Sequence, residues 1–114
     1  MTLLDISLCL LCAVAISSGQ LLFKLASNRL VAGAAYTDIG FLLILGTSFA
    51  IYALASVYWM WLLRKIPLSQ AYTLLATTYA IVPLCAALFF GETIRPLFWL
   101  GVGLIGLGVW LTVQ

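Results

Sequence analysis

Few side chains in this sequence could do chemistry, and most of those that could lie inside long apolar runs. In the first run Ser17, Gln20 and Lys24 recur at i, i+3 and i+7, which stacks them on one helical face, with Ser18 and Gly19 beside them. In the third run Tyr72, Ala76, Tyr79 and Pro83 share a face, with Thr73 and Thr77 adjacent. Hydroxyls, an amide and an ammonium are costly in hydrocarbon, so they usually turn toward a bundle interior or a wet cavity. Two facing stripes of this kind make a shallow polar groove between the first and third helices, a path for a polar solute. The local alternative is that each hydroxyl bonds a carbonyl in the preceding turn while Lys24 snorkels to the membrane interface.

What is missing narrows the chemistry further. There is no histidine, and Cys9, Cys12 and Cys85 all sit in apolar runs, where a thiol acts as a small hydrophobe. No metal site or cofactor is expected. Asp5, Asp38 and Glu92 fall at the ends of the runs, leaving no carboxylate deep enough to exchange a proton for a cation. No nucleophile–base pair can be assembled, so the expectation is not an enzyme. Five basic residues against three acidic ones are too few for a nucleic-acid surface.

The elements that must position these residues follow from composition. Of 114 residues, 66% are hydrophobic and 7% charged, and the mean hydropathy is +1.25. Such a chain cannot cover a core with polar surface, so its solvent is the lipid bilayer. A hydrocarbon layer of about 30 Å needs roughly 20 apolar residues per helix. Four segments qualify, at about 3–23, 39–63, 69–90 and 96–113, giving an all-α, polytopic, single-domain protein. Lys24 closes the first, Arg64-Lys65 the second and Gly91-Glu92 the third; Pro67 and Pro96 mark helix starts. The first run lacks a basic flank and a cleavage site followed by a polar domain, so it reads as a retained span and not a signal peptide.

Basic residues are almost balanced across the membrane: Arg64 and Lys65 on one side, Lys24, Arg29 and Arg95 on the other. This fits a chain that inserts both ways and pairs antiparallel with itself, or one whose orientation bias is merely weak. The fourth span carries Gly101, Gly103, Gly106 and Gly108. Small residues let helices approach closely in lipid. Gly101, Leu104, Ile105 and Gly108 are therefore the candidate dimer seam, with packing inside the protomer as the alternative.

The chain resembles the small four-helix branch of the drug/metabolite transporter superfamily, the EamA-like and small multidrug resistance proteins. The carriers are Gly19-Gln20-Leu21-Leu22-Phe23-Lys24, Ile66-Pro67-Leu68-Ser69-Gln70-Ala71-Tyr72, Phe89-Phe90-Gly91-Glu92 and the spaced Gly101, Leu104, Ile105, Gly108 and Val109. The resemblance implies an antiparallel dimer, with a substrate chamber between the first three helices and dimerisation through the fourth. Two departures matter. The drug exporters' essential helix-1 glutamate is Ile16 here, and their helix-3 tryptophan is Leu75.

A closer likeness is to the small subunits that flip undecaprenyl-phosphate-linked aminoarabinose across the bacterial inner membrane, which also lack the glutamate. That likeness implies a flippase subunit, working as a homodimer or paralogous heterodimer on a polyprenyl phosphosugar. Ser17, Gln20, Tyr72, Thr73 and Tyr79 would line its path, and Lys24 or Arg64 would meet the phosphate. The remaining readings are an exporter of small polar or cationic solutes and a non-transporting scaffold for an envelope glycosyltransferase.

Overall fold

The computed structural model describes residues 2–114. Five helices follow one another: α1 (Leu3–Val31), α2 (Ile39–Leu62), α3 (Leu68–Leu75), α4 (Thr78–Phe90) and α5 (Pro96–Thr112). Three stretches are long and apolar enough to cross a membrane: α1, α2, and α3 with α4 taken together as Leu68–Phe90. The fourth, α5, is apolar but only 17 residues long.

Local chemistry sets each boundary. Thr2 accepts from the Asp5 amide and Asp5 reaches back to the Thr2 amide, a capping box that starts α1. Asp38 caps α2 by accepting from the Phe41 amide at 2.9 Å. Gly91 adopts φ 67°, a left-handed conformation that ends α4 at small cost for glycine. Pro96 occupies the first turn of α5, where its missing N–H leaves no helical bond unmade.

Two features differ from the sequence expectation. The first helix does not stop at Lys24 but runs on for two turns to Val31, so Ser27 and Asn28 are helical. Its 29 residues span about 43 Å at 1.5 Å each, more than the bilayer core requires. Composition locates the apolar stretch, not the polar turns that a helix can carry past it. The third span is not continuous either. At Ala76 and Thr77 the amides bond carbonyls three residues back, to Thr73 and Leu74, and the Thr73 and Thr77 hydroxyls also bond carbonyls three back. Hydroxyls that compete for helix carbonyls tighten and break the ladder there. Pro83, inside α4, removes one further ladder bond.

The helices form a flat slab, 48 × 36 × 17 Å in extent. α1 is central, with α2 on one side and α3–α4 on the other; α5 leans on α3 and α4. A small core joins Cys9, Cys12, Leu62, Ile66, Ala71 and Leu74 near the start of α1. Elsewhere large apolar side chains face outward, among them Leu43, Leu54, Leu88 and Leu104. That surface suits lipid and not water. The chain is a multi-pass membrane protein.

Candidate functional site

The α1–α2 contact is tight and fixes the register of everything beside it. Ser48 donates to the Gly19 carbonyl at 2.9 Å, and Tyr58 donates to the Leu8 carbonyl at 3.0 Å. At the far end Arg29 and Asp38 pair at 3.2 Å. A Cβ on Gly19 would lie 2.7 Å from the Tyr52 ring, so only glycine admits this approach. Phe23 stacks on Tyr52, with ring centroids 5.3 Å apart. α2 thus holds the back of α1 still.

The opposite face of α1 looks across a trough toward α4 and α5. Three cavities share walls along it. The largest, about 860 Å³, is bounded by Gln20, Lys24, Pro83, Phe90, Glu92, Arg95 and Phe98, among others. The next, about 600 Å³, keeps Gln20, Pro83 and Phe98 and adds Ile16, Tyr79, Gly101 and Ile105. The third, about 360 Å³, keeps Ile16 and Tyr79 and adds Tyr72, Thr73 and Ala76. Shared residues make these one trough. It runs from Lys24, through Gln20 and Tyr79, to Tyr72 and Thr73, and the broken turn between α3 and α4 forms its far wall.

Five of the sequence-derived site residues therefore come together: Gln20, Lys24, Tyr72, Thr73 and Tyr79. Two do not. Ser17 is buried and donates to the Ala13 carbonyl at 2.8 Å, so its hydroxyl is spent on its own helix. Arg64 lies at the other end of the slab. The antiparallel α1–α2 register sets it level with the first turn of α1, about 30 Å along the axis from Lys24 at 1.5 Å per residue. It donates to the Trp61 carbonyl and lies 5.5 Å from the centre of that ring, an interfacial arrangement. Within one chain Arg64 and Lys24 cannot grip one phosphate.

Glu92 and Arg95 were missed by the sequence reading. Both border the largest cavity beside Lys24, and the Lys24 ammonium lies 4.0 Å from the Glu92 carboxylate. Only the fold-back after Gly91 reveals this, because 68 positions of chain separate the pair. Deeper in the trough the wall at Ile16 is apolar, so no carboxylate meets a passing solute there. The Thr112 hydroxyl, which donates to the Val109 carbonyl at 2.6 Å, lies 3.2 Å from the Thr73 hydroxyl, so the far end of the trough abuts the end of α5.

Most of the candidate seam on α5 is open among the described residues. Gly101 and Gly108, like Gly103 and Gly106, would each carry a Cβ without meeting any atom within 4 Å, and Leu104 is 64% exposed. Gly101 and Ile105 do border the middle cavity. Packing inside the protomer, the alternative read from spacing alone, does not use these glycines. Among the described residues, no group of three metal-ligating side chains comes together.

Comparison with known proteins bears on what such a trough is for. Residues 6–114 match the EamA-like transporter family. The chain is 36% identical to a probable 4-amino-4-deoxy-L-arabinose-phosphoundecaprenol flippase subunit of Pseudomonas syringae pv. syringae, over 95% of this chain and 82% of that protein. Proteins of the same description in Pseudomonas savastanoi pv. phaseolicola and Pseudomonas fluorescens are 36% and 37% identical, over 94% and 82% of this chain and 85% and 76% of theirs. No solved structure matches it significantly. The chain belongs to the EamA-like transporter family and is a small multi-pass membrane transporter, not an enzyme.

Proposed function

We propose that this chain is a flippase subunit that carries the headgroup of an undecaprenyl-phosphate-linked sugar, aminoarabinose in the first instance, across the bacterial inner membrane. The observation that carries the reading is the single trough along α1, cationic at its Lys24 and Arg95 mouth and lined by amide and hydroxyl groups further in. A polyprenyl tail costs nothing to leave in lipid. What must be carried is a sugar, which needs hydrogen bonds, and a phosphate, which needs cations. Gln20, Tyr79 and Tyr72 offer the first, with the Thr73 hydroxyl, which already donates to the Gln70 carbonyl, left only to accept, and Lys24 with Arg95 offer the second. The apolar residue at Ile16 disfavours the drug-exporter mechanism, in which a membrane carboxylate trades protons for cations.

The working unit is a dimer, with itself or with a paralogue, closed through Gly101, Leu104, Ile105 and Gly108. Four glycines with open space beside their Cα atoms among the described residues support this. An antiparallel partner would bring its own Arg64 end beside the Lys24 end and give both faces of the membrane a cationic mouth.

The test is outer-leaflet exposure of the amino sugar in intact cells, read with an amine reagent that cannot cross the membrane. Cells carrying the chain should expose several-fold more labelled glycolipid than cells lacking it. Lys24→Ala should remove most of the gain. Equal labelling with and without the chain would refute the assignment.

A further inference from the structure

We propose that Glu92 is the specificity-determining residue for the headgroup, selecting one that carries a protonated amine together with its phosphate. The inference rests on the flippase reading above. Gly91, left-handed at φ 67°, reverses the chain at the end of α4, and the Glu92 amide bonds back to the Ala86 carbonyl at 3.4 Å. This places a carboxylate just beyond a helix C-terminus, where the backbone dipole is already negative. The helix gives that charge no support. Its partner comes from across the groove, the Lys24 ammonium at 4.0 Å, the outer limit of an ion pair. Both side chains are about half exposed, so the contact is loose and exchangeable.

The mouth of the trough therefore holds two cations and one acid: Lys24, Arg95 and Glu92. Arg95 makes no ion pair among the described residues. A phosphate entering here draws Lys24 toward itself and leaves Glu92 facing a second anion, which is unfavourable at this range. A headgroup with an ammonium restores the balance, with Lys24 and Arg95 on the phosphate and Glu92 on the amine. A neutral sugar on the same phosphate cannot do this. In the unloaded chain Lys24 stands in for the missing amine, and loading exchanges one ion pair for three.

The experiment compares two probes in membrane vesicles holding the full chain together with any partner it needs: a free-amine glycosyl-phosphopolyprenol and the same lipid N-acetylated. The wild type should move the free-amine lipid up to about fivefold faster, the ratio that one ion pair at a partly exposed site can supply. Glu92→Gln should abolish that preference and leave the acetylated lipid within twofold. Lys24→Ala should slow both, and Glu92→Asp should keep the preference. A wild type that moves both lipids equally, or Glu92→Gln vesicles that keep the preference, would overturn the role of Glu92 while sparing the flippase reading. Movement of neither lipid above chain-free vesicles would overturn both. If Glu92→Gln does not reach the membrane, the wild-type ratio and Glu92→Asp still decide.

Discussion

The Ser48 hydroxyl donates to the Gly19 carbonyl across the α1–α2 interface at 2.9 Å, beside the Tyr52 ring that fills the space a Cβ on Gly19 would need. A donor and a missing side chain thus set how closely two helices approach. Because the trough lies on the other side of α1, this back wall decides whether Gln20 and Lys24 are held steady.

Enlarging Gly19 should therefore cost more than removing the hydrogen bond. Gly19→Leu is expected to destabilise by roughly 1–3 kcal/mol, the range for overpacked interiors. Ser48→Ala should cost about 0.6 kcal/mol, typical of a hydrogen bond between membrane helices. Denaturant-dependent unfolding in detergent micelles reads both. The ordering of the two is the discriminating result.

Tyr52 gives the opposite expectation. Its hydroxyl is buried and makes no hydrogen bond of good geometry among the described residues, with the Gln20 side chain its one polar neighbour, while its ring stacks on Phe23. Removing an unsatisfied polar atom and keeping the ring should be neutral or stabilising, by up to about 1 kcal/mol. Tyr52→Phe that unfolds more easily than wild type in the same assay would mean that the hydroxyl has a partner.

The loop end of the slab should respond to acid. Hydrogen bonding from the Phe41 amide holds the Asp38 carboxyl below its ordinary value against partial desolvation, and the Arg29 guanidinium adds to the lowering. A lowered folded-state value means stability that is complete above the ordinary carboxylate range and is lost as pH falls through and below it. Thermal unfolding should thus show a falling midpoint below about pH 4, near the ordinary aspartate value. Asp38→Ala should lower the midpoint at neutral pH and flatten that dependence.

The α5 face makes a prediction about assembly. Gly101→Leu and Gly108→Leu put bulk where the protomer has open space, so neither should change monomer stability by more than about 0.5 kcal/mol beyond the helix-propensity gain. Each should nevertheless reduce cross-linked dimer in native membranes several-fold. Unchanged cross-linking would move the seam elsewhere.

The sequence showed much of this fold but not its details. Four apolar runs were plain, because a bilayer demands length and hydropathy, and both are visible residue by residue. The i, i+3, i+7 stripe of Gln20 and Lys24 and the face of Tyr72 and Tyr79 were legible for the same reason: helical periodicity is local. Ser17 lay on the same stripe yet is spent on the Ala13 carbonyl, since spacing does not reveal which way a hydroxyl bonds. That Arg64 lies across the membrane from Lys24 was legible from the alternation of spans, and the register set by Ser48 on Gly19 and Tyr58 on Leu8 agrees with it. Glu92 was seen only as part of a turn signature. Its approach to Lys24 needed the left-handed glycine and the packing of α4 on α1 to become visible.

To carry a polar headgroup, the trough along α1 from Lys24 to Tyr72 must be continuous and wet. Single cysteines at Gln20 and Tyr79, in a chain with Cys9, Cys12 and Cys85 replaced, can be challenged with a charged, membrane-impermeant maleimide, using Leu54 on the lipid face as control. Rapid labelling at both trough positions, slowed by the lipid-linked amino sugar and absent at Leu54, is the expected result. Positions 20 and 79 that label no faster than position 54 would contradict it.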